Sequence, residues 1–349
     1  MGLKDLRNMK KGHQVTMKEI AKKLGVSVST ISRALKDSPE LHPETKRKIV
    51  EMAKEMNYQP NLLAQSLRIS RTKTLGVIVP EITSHFFASC ISGIQDHANL
   101  RGYNVMICQS NESIEQEIAN IRTLVASQVD ALLISLSRET NHYEHLYELY
   151  SREIPFVLFD RVQEDIPVSK VTFNDAGGAY QVTHHLLEMG CKNIVYVSGP
   201  EDLYISKKRK EGYLKALKEY GIEENPTFIQ VSDLTTAGNI QVAKEIAAMD
   251  PKPDGVFCMI DPVAVDVLTY WKSIGLKVPE DIALAGFTDN PTAAVVEPPL
   301  TTVSQPGYEM GKLAVSHLLD QLDGQASDDP ISIVLETTLV PRKSSNKLL

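Results

Sequence analysis

The sequence predicts a small all-α helix-turn-helix headpiece followed by an α/β body of two lobes. Residues 16–35, TMKEIAKKLGVSVSTISRAL, have the pattern of two short amphipathic helices joined by a tight turn. From residue 74 onward, short apolar segments alternate with amphipathic helices, which is typical of parallel sheets with helices on both faces. The first 74 residues hold 16 of the 37 Lys and Arg residues but only 7 of the 44 Asp and Glu residues. A basic head on an acidic body suits a chain that meets a polyanion at one end.

The first helix has clear signals at both ends. Thr16 is a suitable N-cap, and Glu19 three residues later completes a capping box. Gly25 can adopt the left-handed conformation that ends a helix. The apolar residues between them form one stripe, made of Met17, Ile20, Ala21 and Leu24.

The second helix begins after Ser27, which is placed to cap it. Its inner stripe is predicted to contain Ile31, Ala34 and Leu35, and its outer face Val28, Ser29, Ser32 and Arg33. In a helix-turn-helix, such a face lies in the major groove of DNA with its N-terminal side chains toward the base edges. An ordinary surface hairpin of two helices is the alternative, because short two-helix patterns are common.

A third helix begins at Pro43, which is favoured at the first helical position, and its inner stripe contains Ile49, Ala53 and Met56. Pro60 forces the residue before it out of the helical conformation and ends this helix. Residues 61–68, NLLAQSLR, allow one or two further helical turns, which are too short to be stable alone. This segment therefore needs a partner to become ordered.

In the body, seven apolar segments are predicted strands: Leu75–Val79, Asn104–Cys108, Ala131–Ser135, Phe156–Phe159, Ile194–Val197, Gly255–Met259 and Ile282–Gly286. Amphipathic helices are predicted between or after them, including Ile114–Ser127, Ala179–Met189, Arg209–Tyr220, Pro262–Ile274 and Tyr308–Leu322. This number of strands exceeds what one small unit needs, so two lobes are expected. Ligands of such sheets bind beyond the carboxyl ends of the strands.

Several polar and aromatic residues fall at those strand ends and are candidates for a ligand site: Phe86, Phe87, Asp160, Arg161, Asn174, Arg209, Asp261, Thr288 and Asp289. Aromatic rings, carboxylates, amides and a guanidinium suit a polyhydroxylated ligand. Simpler roles are also open. The two phenylalanines can belong to the core, Asp160 and Arg161 can pair with each other, and Asp261 can cap the following helix.

The remaining composition excludes several classes of protein. The four cysteines are far apart and contain no C-x-x-C, which predicts buried thiols in a reducing cytoplasm. No signal peptide or apolar run of membrane-spanning length is visible. No dinucleotide-binding, P-loop, nucleophile-elbow or zinc-ligand motif occurs, so neither an enzyme nor a metal or organic cofactor is expected.

The chain resembles the lactose/galactose repressor (LacI/GalR) family of bacterial transcription regulators. The resemblance rests on VSVSTISRAL, NYQPNLLAQSLR and RTKTLGVIVPEI, followed by HLLEMGCKNIVYVSGP, KRKEGYLKAL, GLKVPEDIALAGFTDN and PPLTTVSQP in the family's order. It covers about residues 16–342. It implies a DNA-binding domain, a hinge that becomes helical on DNA, and two lobes like those of periplasmic sugar-binding proteins.

The resemblance also implies a division of the chain. Residues 1–15 are expected to be a basic extension, 16–60 the helix-turn-helix domain, and 61–74 the hinge. Residues 75–349 are expected to bind effector and form the dimer. The first lobe would span about 75–174 and 306–333, and the second about 175–305 and 334–342.

DNA contacts follow from the same likeness, by matching positions. Val28 and Ser29 match positions that vary with operator sequence, and Arg33 matches an arginine that contacts bases or backbone. The full expected set is Thr16, Ser27, Val28, Ser29, Thr30, Arg33, Asn57, Tyr58, Ala64, Gln65 and Leu67. The hinge leucines of a dimer would wedge into the minor groove. Alternatively, Leu67 packs on its own lobe.

Together these patterns predict a transcriptional repressor, with a near-palindromic double-stranded operator, a homodimeric partner and a small sugar-like effector. The family places an effector-binding arginine at Arg209. Thr288 replaces an acidic residue of the family pattern, and Leu203 replaces a polar residue found in purine-binding members. These differences weaken the case for a standard sugar and for a purine. A nucleobase-responsive repressor, a catabolite-type regulator with a protein corepressor, and a binding protein without regulation remain alternatives.

Overall fold

The computed structural model describes residues 15–35, 38–58, 71–327 and 329–346. The chain forms two compact units, Met1–Thr72 and Lys73–Leu349, which are described separately. In the described residues, no helix has both the length and the apolar character needed to cross a membrane. The predicted hinge contacts Ala64, Gln65 and Leu67, and nearly all of the predicted basic extension, lie outside the described residues.

The described residues of the headpiece form three helices: α1 (Met17–Leu24), α2 (Val28–Leu35) and α3 (Pro43–Glu55). Each helix contributes two fully buried residues to one small core: Ile20, Ala21, Ile31, Ala34, Ile49 and Ala53. Met17, Leu24, Leu35 and Met56 pack around this core and are partly buried. The predicted apolar stripes are therefore confirmed, with their outer members at the margin of the core.

The capping signals act as predicted. The Thr16 backbone amide donates to the Glu19 carboxylate at 2.7 Å, and the Glu19 amide donates to the Thr16 hydroxyl at 3.4 Å. Gly25 has a φ of 66°, the left-handed conformation that few residues other than glycine adopt. The Thr30 amide donates to the Ser27 hydroxyl at 3.1 Å, which caps α2. These caps fix the turn between α1 and α2.

The first lobe is built on a parallel sheet of six strands in the order β11-β5-β4-β3-β1-β2. Its strands are β1 (Thr74–Val79), β2 (Asn104–Gln109), β3 (Ala131–Ile134), β4 (Phe156–Phe159), β5 (Lys170–Phe173) and β11 (Ser332–Leu335). Its helices are α4 (His85–Leu100), α5 (Ile114–Ala126), α6 (Glu144–Ser151) and α12 (Gly307–Leu322). Buried apolar clusters cover both faces of this sheet.

The second lobe has a parallel sheet of four strands in the order β7-β6-β8-β9. Its strands are β6 (Ile194–Ser198), β7 (Ile229–Val231), β8 (Gly255–Cys258) and β9 (Ala283–Ala285). Its helices are α7 (Asp175–Glu188), α8 (Tyr204–Glu219), α9 (Thr236–Ala247), α10 (Asp261–Ser273) and α11 (Pro291–Val295). A short antiparallel pair, β10 (Thr302–Ser304) with β12 (Thr338–Val340), lies beside β9.

The chain crosses between the lobes three times: between β5 and α7, between β10 and α12, and between β11 and β12. The Asn174 amide donates to the Leu335 carbonyl at 2.8 Å, and its side-chain amide donates to Glu336 at 3.0 Å. Two crossing segments are therefore bonded to each other. Because β11 extends to Leu335, the first lobe keeps two residues that the sequence assigned to the second.

All seven predicted strands are present, with ends within one residue of those expected. Five further strands were not predicted: β5, β7, β10, β11 and β12. They have three or four residues each, and several are only partly buried, so they lack a continuous apolar run. Helix α7 begins at Asp175 rather than Ala179, because Asn174 caps it there by accepting from the Gly177 amide, and α8 begins at Tyr204 rather than Arg209.

Glycines allow the paired helices of each lobe to pack closely. A Cβ added at Gly93 of α4 would lie 2.1 Å from the Tyr308 carbonyl oxygen of α12. A Cβ at Gly311 of α12 would lie 2.0 Å from the Cys90 carbonyl oxygen. In the second lobe, a Cβ at Gly212 of α8 would lie 2.0 Å from the Ala176 carbonyl oxygen of α7. Only glycine fits these crossings without moving a helix.

We expect Gly93→Ala to destabilise the body by about 1–3 kcal/mol, because the added methyl group overlaps backbone of α12. In an uncrowded helix the same change stabilises by roughly 1 kcal/mol, so the sign of the effect is diagnostic. Thermal unfolding followed by circular dichroism measures it. Ser92→Ala, at the exposed neighbouring position, is the matched control. A Gly93→Ala protein as stable as the wild type would contradict the close packing.

Candidate functional site

A cavity of about 650 Å³ lies between the two lobes. Residues that follow the strands of both sheets line it, as expected for the carboxyl ends of parallel strands. Its charged lining is balanced: three arginines, Arg138, Arg161 and Arg209, face three carboxylic acids, Glu81, Glu112 and Asp160. The size suits a small organic molecule.

Arg209 lies at the back of this cavity and is only 1% exposed. Its Nε donates to the Asp175 carboxylate at 2.9 Å, its Nη2 lies 2.8 Å from the same carboxylate oxygen, and its Nη1 donates to the Met259 carbonyl. Nη2 also donates to the Gln305 side chain at 3.5 Å. The guanidinium stacks 3.8 Å from the centre of the Phe287 ring. These three hydrogen bonds use one N–H group each on Nε, Nη1 and Nη2.

Asp160, Arg161 and Glu112 form a second polar group, on the first lobe. Arg161 Nη1 donates to Glu112 at 2.7 Å, and Arg161 Nε lies 3.9 Å from the Asp160 carboxylate. Burial would raise the pKa of Glu112, but the charge and hydrogen bond of Arg161 lower it below its usual value. Burial raises the pKa of Asp160 to about 7, although the Arg161 charge opposes this shift.

Two buried polar atoms of residues in the cavity lining have no hydrogen-bond partner in the part of the chain that the structure describes. Arg161 Nε and Gln305 Nε2 have no hydrogen bond acceptor among the described residues. In the same part of the structure, the Asp160 carboxylate accepts no hydrogen bond, its nearest cation being at 3.9 Å. Buried polar groups in folded proteins are normally hydrogen-bonded. Arg161 Nε and Gln305 Nε2 are therefore two polar atoms of lining residues whose hydrogen-bonding capacity the described residues leave unused.

Six of the predicted effector-binding residues line the cavity: Phe86, Phe87, Asp160, Arg161, Arg209 and Thr288. The phenylalanines also belong to the first lobe's core, where the Phe86 ring packs 5.1 Å from Phe87 and 5.9 Å from Phe173. The two phenylalanines therefore contribute both to the cavity lining and to the core of the first lobe. Thr288 has a φ of 108°, which is unusual for a β-branched residue.

The other three predicted effector residues do not line the cavity. Asn174 caps α7 by accepting from the Gly177 amide at 2.9 Å. Asp289 pairs with Arg342 at 2.7 Å. Asp261 is fully buried and accepts from the Thr302 hydroxyl at 2.6 Å and the Asn290 amide at 2.7 Å. Asp261 is the first residue of α10, but its carboxylate accepts from Asn290, which precedes α11, and from Thr302 of β10 instead of capping the helix.

Sequence reasoning missed Glu112, Arg138 and Gln305 in the cavity lining. Gln305 immediately follows β10, a strand that was itself not predicted. Glu112 and Arg138 follow β2 and β3, two predicted strands, so the rule that ligands bind at strand ends could have found them.

The headpiece presents a polar face along α2. Val28, Ser29 and Arg33 are exposed, and the Ser27 hydroxyl bonds those of Ser29 at 2.7 Å and Thr30 at 2.8 Å. Arg33 lies 3.5 Å from Glu40, and both side chains are more than half exposed. An exposed pair of this kind is weak and leaves the guanidinium available.

The other expected DNA contacts of the headpiece lie at the ends of its helices. Thr16 is exposed before α1, and Asn57 is exposed after α3 with a φ of 49°. Tyr58 is partly buried against the headpiece core. Thr16 and Asn57, like the exposed residues of α2, are therefore accessible to a molecule that binds the surface of the headpiece.

Comparisons with known proteins identify the family. Residues 16–61 match the family model of bacterial regulatory proteins, lacI family, and residues 183–345 match the periplasmic binding protein-like domain. The HTH-type transcriptional regulator RegA of Clostridium saccharobutylicum is 32% identical over 332 residues, covering 95% of this chain and 99% of RegA. This chain belongs to the lacI family.

Two further proteins agree with this assignment. The HTH-type transcriptional repressor CytR of Escherichia coli (strain K12) is 32% identical over 310 residues, covering 89% of this chain and 90% of CytR. The solved structure of the transcriptional regulator CelR in complex with cellobiose is 28% identical, with a TM-score of 0.73, covering 95% of this chain and 100% of CelR. This lacI-family protein is a DNA-binding transcriptional regulator, and the predicted family and fold class are confirmed.

The raised pKa of Asp160 makes a prediction for the pH dependence of stability. Between its ordinary value of 3.8 and about 7, the folded protein holds a proton on Asp160 that the unfolded chain has lost. Folding stability therefore falls as pH rises through this interval, by up to about 1.4 kcal/mol per pH unit. Asp160→Asn has no carboxyl group to titrate and so does not lose this stability. The melting temperature of Asp160→Asn minus that of wild type should therefore increase between pH 5 and pH 7.5.

Paired thermal melts across this pH range test the expectation. Asp261, whose pKa burial also raises to about 7, contributes to both proteins and cancels in the comparison. Glu139→Gln, an exposed change on the same lobe, should follow wild type at every pH. Parallel curves for Asp160→Asn and wild type would show that Asp160 is ionised across the whole interval.

Proposed function

We propose that this regulator is a transcriptional repressor that binds a near-palindromic operator as a homodimer and leaves it when a sugar-like effector fills the cleft. One observation carries the effector part of the proposal: two buried donors without acceptors among the described residues, Arg161 Nε and Gln305 Nε2, belong to residues that line the cavity between the lobes. The exposed polar face of α2 supports the DNA part.

For DNA, the α2 helix offers the chemistry of base and backbone recognition. Val28 and Ser29 stand at its N-terminus, where side chains of a recognition helix approach base edges. The hydroxyls of Ser27 and Thr30 can donate to phosphates, as can Thr16, Asn57 and Tyr58. The Arg33 guanidinium can bond a guanine edge with two donors.

A homodimer follows from the size of the headpiece. One headpiece of three helices places a single short recognition helix in one major groove and reads few bases. Two copies related by a two-fold axis read two half-sites, which makes the operator near-palindromic. Pairing would also give residues 61–68 the partner that so short a segment needs, and would place Ala64, Gln65 and Leu67 in the minor groove.

The effector is proposed to be a neutral polyol. Balanced charge in the lining does not favour a strongly charged ligand, whereas Gln305 Nε2, Arg161 Nε and the Asp160 carboxylate match hydroxyls, which both donate and accept. The Phe86 ring offers an apolar surface for a sugar ring. The complex of CelR with cellobiose supports this class of ligand.

The repressor direction is supported by the name of CytR, a transcriptional repressor. Effector binding would change the angle between the lobes and so the spacing of the two hinge segments in the dimer. A coupling free energy of about 1–3 kcal/mol would change operator affinity roughly 5- to 150-fold.

The DNA proposal predicts that Arg33→Ala relaxes sequence discrimination, by about 1–3 kcal/mol if the residue reads a guanine. Gel-shift titrations of the purified protein on its promoter region and on base-substituted copies measure this loss. Lys54→Ala, an exposed change in the last turn of α3, is the control for removing one positive charge. Equal losses of discrimination in the two variants would remove Arg33 from base readout.

The effector proposal predicts that a sugar or sugar derivative raises the melting temperature, because a ligand of the native state stabilises it. A thermal-shift screen should include monosaccharides, disaccharides, sugar acids and nucleobases. Gln305→Leu should abolish the shift produced by the active compound, since it removes an inward-facing donor. Gln163→Leu, outside the cavity, should keep it. A shift given only by nucleobases would overturn the sugar class.

A further inference from the structure

We propose that Arg138 and the turn at residues 232–235 form a clasp that holds the two lobes closed over the cleft. The clasp bridges the lobes, since Arg138 Nη1 on the first donates to the Asp233 carbonyl on the second at 2.9 Å. This proposal rests on the cleft being the ligand site, and it assigns that site a closing device.

The first half of the clasp is held by Glu112. The Arg138 backbone amide donates to Glu112 Oε2 at 2.7 Å, and the same oxygen accepts from Arg161 Nη1 at 2.7 Å. Asn111 and Glu112 have φ values of 53° and 62°, in the left-handed region. Side chains in that region cost energy and persist only where surrounding contacts demand them. Glu112 therefore fixes both the base of the clasp and a polar group of the cavity.

The second half is a rigid turn. Asp233 Oδ1 accepts from the Thr235 amide at 2.8 Å and the Thr235 hydroxyl at 2.7 Å, and the Leu234 amide donates to the Ser232 hydroxyl at 3.0 Å. Leu234 has a φ of 65°, which is strained for a bulky residue, and its side chain lines the cavity. The turn thus presents the Asp233 carbonyl to Arg138 of the first lobe and the Leu234 side chain to the cavity.

The clasp lies away from the crossings between the lobes. Asp233 follows β7, the edge strand of the second sheet opposite β9, and β9 adjoins the β10–β12 pair that carries two crossings. Arg138 follows β3, which is separated from β11 by β4 and β5. When the lobes open about the crossings, the parts of the cleft farthest from the crossings move apart the most. A hydrogen bond at such a place is therefore made only in the closed arrangement, and it shifts the equilibrium between open and closed lobes.

The shared anchor gives the clasp a link to the ligand. A molecule that bonds Arg161 changes how Arg161 holds Glu112, and Glu112 holds the Arg138 backbone. Occupancy of the cavity and strength of the clasp are thereby coupled through one carboxylate.

Distances between spin labels, measured by double electron–electron resonance on the full-length protein without DNA or effector, test the clasp. Asn141→Cys and Ala237→Cys place labels on exposed sites at the two sides of the cleft. Cys108→Ser removes the partly buried native thiol, while the other three cysteines are buried. Arg138→Ala should move the distance distribution to longer values, and Arg138→Lys, which keeps one donor, should move it less.

Arg122→Ala, an exposed change on α5 of the same lobe, is the matched control and should leave the distribution unchanged. An Arg138→Ala distribution equal to that of wild type, or an equal shift in Arg122→Ala, overturns the clasp. The clasp and the effector proposal can fail separately. If Arg138→Ala lengthens the distances but the thermal-shift screen finds no ligand of the cleft, the clasp is supported and the effector proposal is rejected.

Discussion

The buried ion pair of Arg209 and Asp175 is the constraint on which the second lobe and the back of the cleft depend. It joins the second turn of α8 to the first residue of α7, and through the Met259 carbonyl it also reaches the end of β8. Both side chains are almost completely buried. Removing one partner of such a pair leaves an unpaired buried charge and typically costs about 3–5 kcal/mol. The pair is therefore a structural element of the second lobe.

This pair also changes how Arg209 is understood. The family resemblance assigns an effector contact to Arg209, but three of its five N–H groups already donate within the protein, and its Nη2 also lies 2.8 Å from the Asp175 carboxylate. Gln305 and Arg161 each keep one donor that has no acceptor among the described residues. A substitution of Arg209 would disturb the lobe and the ligand together, which is why Gln305 is the sharper probe of effector binding.

The sequence predicted best where one signal acts within a few residues. Thr16, Glu19 and Gly25 defined α1, and continuous apolar runs located the seven central strands. It predicted less where a residue's role depends on distant partners. Asn174, Asp261 and Asp289 follow strands or crossings as expected, but their partners, Glu336, Thr302 and Arg342, lie far along the chain. The spacing of residues along the sequence could not show that these three side chains are already bonded to distant partners.

The opposite charges of the two units bear on how such a regulator finds its site. Phosphate contacts supply much of the affinity for DNA and weaken steeply with salt. The basic residues are concentrated in the first 74 residues, whereas the remainder has an excess of acidic residues, 37 against 21. The acidic body is repelled by the duplex, so it adds no nonspecific attraction of its own. The electrostatic attraction for DNA is therefore concentrated in the first 74 residues of the chain.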